Sequence, residues 1–450
     1  MKTLEIAAIP KEVIHIIDTL NEHKFQAFIV GGCVRDSLLG RKPTDWDIAT
    51  NAKPEEVKGI FEKTIDTGIK HGTVTVIYGN AGFEITTFRV DGVYLDYRKP
   101  ESVEFTASIE EDLARRDFTV NSIAFNLDEG LVDPYNGIED IDNKTIRAVG
   151  NPDKRFNEDA LRMLRAVRFS AQLGFEIDEK TLESIGNNSE LIKNISSERI
   201  RDELTKILLS DNPFVFSLLM ETKLLKYILP EFTDCYLTLQ NNPYHVYNVA
   251  VHILTSVAWI EKDRILRWAM LLHDIGKPSA KTTDEKNIDH FYNHQQKSVQ
   301  IAKNVLDRLR FDNKSADTIL RLIRHHDISI KPEAKSVRKA VSRVGDDIFP
   351  DLLKVIEADK KAQNPKYFTE RSENLKKIRE LYREIKEQGQ CTSLKELAVN
   401  GSDLLSLGFR QGQGIKTVLE ALLEKVIETP ELNNRESLIN IAEKMKRSLE

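Results

Sequence analysis

Apolar and polar positions follow two different periods along this 450-residue chain. In the first third, an amphipathic helix to about Asn21 precedes apolar runs with the period of a strand, separated by a Gly-Gly turn and a short helix. The predicted strands are Lys24–Val30, Thr44–Ala49, Thr73–Tyr78 and Phe83–Val90, with a hairpin turn at 79–82. We therefore expect a mixed α/β region with a small sheet.

Beyond Asn151 strand signals almost vanish and the helical period takes over. Helices are predicted at Ala160–Leu173, Ser197–Leu209 and Val249–Ile260, and breaks at Pro278–Asn293, near Asn364 and Lys366, and at 388–390. The fold class is therefore α+β, with a mixed head followed by helical segments. We expect a head at 1–150, a neck at 151–240, a body at 241–365 and a tail at 366–450.

Composition narrows the class of protein. The chain is 40% hydrophobic and 30% charged, as in a globular protein with more than one core. The three cysteines, Cys33, Cys235 and Cys391, are too far apart in sequence to suggest a disulfide framework or a thiolate zinc site, so we expect a cytoplasmic protein. The charged start does not resemble a secretory signal, and no later apolar run is long enough to cross a membrane. A net charge of −6 argues against indiscriminate nucleic-acid binding and is compatible with a local basic channel.

A candidate acidic centre follows the first strand. Gly31-Gly32 and Arg35 precede Asp45-x-Asp47, and residues i and i+2 of a strand point to one face. Two carboxylates held together repel each other, and a divalent metal relieves that cost. An Asp-x-Asp pair alone is common on exposed strands and in turns, so the specificity lies in its combination with the Gly-Gly turn and the arginine, which suit a triphosphate.

Residues 31–50, GGCVRDSLLGRKPTDWDIAT, resemble the active-site signature of the class II tRNA nucleotidyltransferase and bacterial poly(A) polymerase family, within the polymerase-β superfamily. ARRDFTVNSIAFN, DPYNGIEDI, EDALRMLRAVRFSAQLGF and SSERIRDELTKIL resemble the family's later motifs in order. The resemblance implies a polymerase-β-like nucleotidyltransferase head. It implies that Asp45 and Asp47 hold Mg²⁺, with Glu84 on a neighbouring strand as candidate third carboxylate, and that Gly32 and Arg35 contact the triphosphate.

The segment ARRDFTVN places Arg115 and Arg116 beside Asp117, a pairing suited to phosphates and ribose hydroxyls. The resemblance implies that Arg116 binds the nucleotide and that Asp117 reads the ribose. The alternative is an ion pair at a helix N-terminus without any substrate.

Glu158, Asp159 and Arg162 open an apolar-periodic helix in this interpretation, with Asp159 and Arg162 on one face. An aspartate accepts from an exocyclic amine and an arginine donates to a ring acceptor, so the pair matches C and A and mismatches G and U. The resemblance supports a protein template. Arg165 and Arg168 continue the spacing towards the phosphates; the alternative is a salt-bridged surface helix.

The polar segment 91–105 is predicted to be a mobile loop beside this pocket. Family members that add only C-C resemble one another in lacking it, so its presence favours addition of the final A. An A-adding enzyme or a poly(A) polymerase stays open as an alternative.

The motif LLHDIGKP contains His273-Asp274, and further candidate ligands are His252, His294, His325-His326 and Asp359. Imidazole and carboxylate together suit a hydrolytic metal site. The arrangement resembles the HD phosphohydrolase superfamily, which implies metal-dependent phosphoester hydrolysis and a second divalent metal at His252, His273, Asp274 and Asp359. His252 is preferred to His245 as the first ligand. The alternative is an RNA-binding helical body without turnover.

Together these features predict addition of C, C and A to the 3′ end of tRNA from CTP and ATP, with pyrophosphate released. The head would bind Mg²⁺, and basic residues of the tail, among them Lys416, Lys425, Lys444, Lys446 and Arg447, would meet tRNA phosphates. We expect no membrane partner, and both monomer and dimer stay open. The rival classes are an HD phosphohydrolase whose head senses nucleotides and a non-catalytic tRNA-binding protein.

Overall fold

A computed structural model describes residues 9–79, 81–92 and 103–449. The chain forms two compact units, Met1–Thr233 and Asp234–Glu450. Within the described ranges, no helix combines the length and the apolar character that a membrane crossing requires. The predicted loop at 91–105 lies largely outside the described residues, which stop at 92 and resume at 103.

The strands of the first unit are β1 (Ala27–Val30), β2 (Ile48–Thr50), β3 (Thr64–Gly68), β4 (Thr73–Tyr78), β5 (Ala81–Thr87), β6 (Arg89–Asp91), β7 (Val103–Phe105), β8 (Ala124–Asn126), β9 (Gly130–Val132), β10 (Thr145–Ile146) and β11 (Glu176–Ile177). Over the described residues, seven of them form one mixed sheet in the order β3-β4-β5-β2-β1-β8-β9. β2 runs antiparallel to β1 and parallel to β5, whereas β6 pairs with β7 and β10 with β11.

The helices of this unit are α1 (Lys11–Glu22), α2 (Gly32–Leu38), α3 (Pro54–Ile60), α4 (Ile109–Ala114), α5 (Gly137–Asp142), α6 (Pro152–Glu158), α7 (Leu161–Leu173), α8 (Glu179–Asn188), α9 (Ser197–Leu208), α10 (Leu218–Glu221) and α11 (Leu225–Ile228). α7 packs against α9 and ends at Gly174, whose φ of +72° is a conformation that favours glycine. On the sheet side, Phe28 and Phe88 pack in a core with Leu113 of α4.

The second unit is mainly helical. A short helix, α12 (Thr233–Leu237), spans the boundary, and the elements that follow are α13 (Val249–Trp259), α14 (Arg264–Leu272), α15 (Lys277–Ala280), β12 (Lys281–Thr283), β13 (Asp289–Phe291), α16 (His294–Arg308), α17 (Asn313–His325), α18 (Ala334–Val344), α19 (Phe349–Lys361), α20 (Phe368–Glu387), α21 (Gly401–Ser406), α22 (Gln413–Glu428) and α23 (Arg435–Leu449). Leu404, Leu422 and Leu438 belong to an apolar core shared by the last three helices.

The strand predicted around Thr44–Ala49 is wrong at its start, because β2 begins only at Ile48. Its partner β1 ends at Val30, and the chain then turns away at Gly31, where φ is +81°. The backbone N–H of Val30 donates to the carbonyl of Asp47 over 3.0 Å, and earlier residues are not paired with β1. Asp45 and Asp47 therefore precede the strand.

The break predicted at Pro278–Asn293 contains regular structure, namely the end of α15 and the antiparallel pair β12–β13. The carboxylate of Asp284 accepts hydrogen bonds from the backbone N–H groups of Lys286 and Ile288, each over 2.9 Å, which closes the turn of the hairpin. The predicted helices at Ala160–Leu173, Ser197–Leu209 and Val249–Ile260 are confirmed to within one residue at each end.

Gly137 at the start of α5 provides a test of the packing behind the sheet. A Cβ at Gly137 would lie 2.2 Å from the carbonyl oxygen of Thr119, so Gly137→Ala should lower the free energy of unfolding by about 1–3 kcal/mol. Denaturation in urea measures the change. The matched control is Gly186→Ala in α8, where a Cβ would meet no described atom within 4 Å. Equal stability of the two variants would contradict the prediction.

Candidate active site

A cleft of about 440 Å³ opens in the first unit, beside the turn between β1 and α2. Its walls are formed by Gly31, Gly32, Arg35, Asp47, Arg115, Arg116, Asp117, Asn121, Asp159, Arg162, Arg165, Phe169 and Arg199. Six of these residues are arginines, and all six belong to the motifs quoted above, so positive charge is concentrated in the cleft.

Three carboxylates lie close together where Asp47 enters the cleft wall. Asp47 directly precedes Ile48 of β2, which pairs in parallel with Ile85 of β5, so Glu84 occupies the equivalent position on the adjacent strand. The pKa of Asp47 is raised above its usual value because its carboxyl is partly desolvated and because Glu84 and Asp45 repel its charge, against the attraction of Arg116. A divalent cation at these oxygens would relieve that repulsion.

The turn at Gly31 allows an arginine to approach the backbone closely. A Cβ on Gly31 would lie 2.8 Å from Nη1 of Arg116, and φ is +81° there, so a side chain is disfavoured on both counts. Arg35 is buried at the base of the turn, with Nη1 donating to Oδ1 of Asn121 over 2.5 Å and Nε to Oδ1 of Asp36 over 2.9 Å. Its guanidinium is therefore held in one orientation.

Asp112 on α4 orients two arginines at once. Nη2 of Arg115 lies 2.6 Å from Oδ1 of Asp112, and Nη2 of Arg116 lies 3.2 Å from Oδ2. Burial alone would raise the pKa of Asp112, but the charges of Arg116 and Arg115 outweigh that effect and hold it below its usual value. Asp112 was not singled out from the sequence, although its spacing of three and four residues from the arginines is that of one helical face.

Asp117 lies in the wall of the cleft with fixed partners. Arg165 donates to Oδ2 from Nε over 2.7 Å, and Oδ1 accepts from Nδ2 of Asn121 over 3.1 Å. The pKa of Asp117 is held far below its usual value, since Arg165 and the hydrogen bond from Asn121 together overcome the effect of burial. This carboxylate is therefore ionised and acts only as an acceptor.

Asp159 does not lie within the helix predicted to begin around Glu158. It follows the last residue of α6 with an extended backbone, and α7 begins at Leu161, so Asp159 lies in a break between two helices and Arg162 in the first turn of the second. The carboxylate accepts from the backbone N–H of Leu161 over 3.0 Å and from Nη2 of Arg199 over 2.9 Å. The break places both side chains in the cleft wall.

Glu158 contacts arginines. Its Oε2 accepts from Nη1 of Arg162 over 2.8 Å, and its Oε1 accepts from Nη2 of Arg155 over 2.6 Å. A second nitrogen of Arg162, Nη2, donates to the carbonyl of Arg115 over 2.8 Å. The guanidinium of Arg162 is thus held by two acceptors, the carboxylate of Glu158 and the carbonyl of Arg115.

Arg168 lies behind the cleft wall rather than in it. It is buried, and its Nε lies 3.1 Å from Oε2 of Glu203 on α9. Burial and the neighbouring charge of Arg165 lower its pKa to about 10. Three residues of the wall, Asn121, Phe169 and Arg199, were missed by the sequence analysis, since their contacts depend on distant segments.

A second cluster surrounds Asp274 in the second unit. Nε2 of His252 lies 3.2 Å from Oδ2 of Asp274 and 3.1 Å from Oδ1 of Asp359, and Nε2 of His273 lies 3.2 Å from the same Asp274 oxygen. The ligand atoms of these four buried residues lie within 4.8 Å of one another. They form one candidate metal site.

Two further histidines lie near the other carboxylate oxygen of Asp274, Oδ1. Nε2 of His294 lies 3.2 Å and Nε2 of His326 lies 3.5 Å from Oδ1 of Asp274. In His273, His294 and His326, Nδ1 lies 2.7–2.8 Å from a backbone carbonyl oxygen, which leaves Nε2 as the nitrogen that faces the carboxylate. Of the predicted pair 325–326, His326 therefore joins the cluster.

Three family models match the chain: the poly A polymerase head domain at 27–147, a probable RNA- and SrmB-binding site of polymerase A at 174–236, and the HD domain at 241–384. The class of protein is therefore one that combines a head domain of the poly(A) polymerase type with an HD domain.

The crystal structure of the Bacillus stearothermophilus CCA-adding enzyme in complex with CTP is 32% identical to this chain, with a TM-score of 0.76 over 97% of this chain and 98% of that one. The chain belongs to the family of CCA-adding enzymes. The CCA-adding enzyme of Lactobacillus helveticus is 56% identical over 43% of this chain and 48% of its own length, and that of Enterococcus faecalis 49% identical over 46% and 52%. The chain spans about half the length of the curated relatives it matches.

Asp112 should control the affinity of the cleft for a triphosphate. Asp112→Asn keeps the shape of the side chain but removes the charge that orients two arginines, so we expect KM for CTP to rise roughly fivefold to tenfold. Steady-state kinetics measures the change, and thermal denaturation verifies that the variant is folded. Glu110→Gln on the same helix is the control, since Glu110 is exposed. An unaltered KM in folded Asp112→Asn protein would contradict the prediction.

Proposed function

We propose that this protein adds C, C and A to the 3′ end of tRNA from CTP and ATP, in the cytoplasm. The observation that carries the proposal is the cleft that Asp47, next to Asp45 and Glu84, lines together with six arginines. The proposed organisation is a nucleotidyltransferase head at 1–150, a neck with the base-selecting residues at 151–240, an HD-like body at 241–365 and a tRNA-binding tail at 366–450.

In the proposed reaction, the terminal 3′-hydroxyl of tRNA attacks the α-phosphorus of the nucleotide, and the bond to the β-phosphate oxygen breaks to release pyrophosphate. Asp45, Asp47 and Glu84 would hold Mg²⁺, because carboxylate oxygens that repel one another suit a hard cation. A bound Mg²⁺ supplies the Lewis acidity that favours the deprotonated hydroxyl and the leaving group.

The arginine wall provides the complementary charge. Gly32, Arg35 and Arg116 would contact the triphosphate, and Arg165 would reach a phosphate while its bond to Asp117 keeps that carboxylate next to the ribose. Arg168 would contribute positive potential from behind the wall.

Base choice is proposed to depend on Asp159 and Arg162. Asp159 would accept from the exocyclic amine and Arg162 would donate to the ring acceptor beside it, a pattern that C and A share. Arg199 and Glu158 hold these two side chains in place, so the reading edge exists before the nucleotide enters. Such rigidity suits selection without a template.

The decisive experiment offers the protein tRNA ending before C-C-A, tRNA ending in C-C and an unrelated RNA, with CTP, ATP or both and Mg²⁺. We expect both nucleotides to be incorporated, with addition stopping after three residues on the first substrate. Asp45→Ala combined with Asp47→Ala should lower the rate on the order of a thousandfold, because the metal ligands are lost. Asp128→Asn, an exposed carboxylate on the turn before β9, is the control. Incorporation of A alone would replace the proposal with an A-adding or polyadenylating enzyme.

We propose as a second function that the HD domain binds divalent metal and hydrolyses phosphate esters. The observation that favours it is the position of Asp274, whose two oxygens face two separate ligand groups. Lys277 lies at the same carboxylate, with Nζ 2.7 Å from Oδ2, and together with Asp274 lines a cleft of about 460 Å³. A positive side chain beside two metal positions suits a phosphate group.

Metal content tests this second function. After incubation with Mn²⁺ and gel filtration, Asp274→Ala protein should retain less metal than the parent, because both ligand groups lose their shared carboxylate. Elemental analysis measures the difference, and hydrolysis of p-nitrophenyl phosphate should fall with it. Asp317→Ala on α17 is the control, since Asp317 is an exposed carboxylate of the same unit. Equal metal content in parent and Asp274→Ala protein would contradict the prediction.

A further inference from the structure

Three guanidinium groups surround one aromatic ring beside the nucleotide cleft. The Cζ atoms of Arg168, Arg35 and Arg165 lie 4.0, 5.2 and 5.3 Å from the centroid of the Phe169 ring. All three distances are within the range in which the negative face of an aromatic ring attracts a cation. Phe169 itself is buried and forms part of the cleft wall.

The ring joins segments that are distant in sequence. Arg35 comes from α2 in the head, whereas Arg165, Arg168 and Phe169 belong to α7. Phe118 packs edge-on against Phe169, with the ring centroids 5.7 Å apart. Phe169 therefore contacts an apolar neighbour in addition to the three guanidinium groups.

A chain of hydrogen bonds connects two of the arginines that contact the ring. Arg35 donates to Asn121, Asn121 donates to Asp117, and Asp117 accepts from Arg165. The polar ends of Arg35 and Arg165 are thus connected through Asn121 and Asp117, while Phe169 contacts both guanidiniums. Each of these two arginines therefore contacts the ring as well as its hydrogen-bond partners.

Like charges in such a small space repel each other, and the repulsion is not fully neutralised by carboxylates. Arg165 is paired with Asp117 and Arg168 with Glu203, but the charge of Arg165 still contributes, after burial, to the lowered pKa of Arg168. An aromatic face offers attraction to several cations without adding a formal negative charge. That property matters beside a site for a polyanion, because another carboxylate would repel the triphosphate.

We propose that Phe169 is a positioning residue for nucleotide binding, which holds Arg35 and Arg165 through cation–π contact in the orientation that receives the triphosphate. This role rests on the proposed nucleotidyltransferase function and assigns a specific task to a residue outside the charged motifs. The alternative is that Phe169 only fills space between α2 and α7.

Stepwise fluorination of the Phe169 ring separates these two roles. Replacing Phe169 with mono-, di- and trifluorophenylalanine by nonsense suppression keeps the ring nearly the same size while weakening its negative face. We expect KM and the equilibrium Kd for CTP to rise with each fluorine, by about fivefold at three fluorines, equivalent to about 1 kcal/mol, with kcat nearly constant. Phe169→Leu, which removes the ring, should weaken CTP binding at least as much.

The same fluorinated series at Phe216 is the matched control. Phe216 is buried in the first unit as well, packs edge-on against Phe232, and does not line the cleft. An unaltered Kd for CTP across the Phe169 series, together with weakened binding in Phe169→Leu, would overturn the proposal and leave a packing role. CTP binding is measured without tRNA, so failure of the parent protein to extend tRNA would contradict the proposed function and leave this test intact.

Discussion

Repulsion between like charges is the physical constraint on which the first unit depends. Carboxylates and arginines line the same cleft, and neither group is stable alone in a partly desolvated space. The arginines are separated and oriented by acidic partners that lie behind the wall: Asp112 holds Arg115 and Arg116, and Glu203 holds Arg168. The attraction of Arg116 for Asp47 does not outweigh burial and the repulsion from Glu84 and Asp45, since the pKa of Asp47 is still raised. This combination of acidic and basic groups suits the proposed binding of Mg²⁺ and a triphosphate.

In the second unit, a buried carboxylate is stabilised by histidines and a lysine rather than by arginines. Asp274 is fully enclosed by imidazoles and Lys277, and although burial disfavours its charge, His273 and Lys277 keep its pKa well below the usual range. Backbone carbonyls accept from the far side of three of the histidines and so direct their Nε2 atoms inward. In both units, the side chains of the candidate site are oriented by groups outside the site, namely carboxylates in the first unit and backbone carbonyls in the second. The sequence motifs contain only some of these groups.

The helical periods predicted the bounds of α7, α9 and α13 to within one residue, although only α9 is buried along a single face, whereas α7 is buried on most of its sides. Shorter features were harder to predict. β2 is three residues long because its partner turns away at Gly31, and the break before α7 places Asp159 outside the helix. Both differences result from tertiary contacts that override the local pattern. The helical spacing of Asp112 from Arg115 and Arg116 is visible in the sequence. The contact between Arg199 and Asp159 is not, because the two residues are forty positions apart.

The sequence by itself determined the chemical identity of the two centres. The Gly-Gly turn, the Asp-x-Asp pair, the arginine motifs and the His-Asp pair are all local, and their spacing reports which groups a strand end or a helix turn can present. Only the tertiary structure decided which distant groups meet. The parallel pairing of β2 with β5 brings Glu84 to Asp47, the fold of the second unit chooses His326 over His325, and the ring of Phe169 lies among three arginines from two helices. Such contacts depend on packing between segments far apart in the chain, and local periodicity carries no information about them.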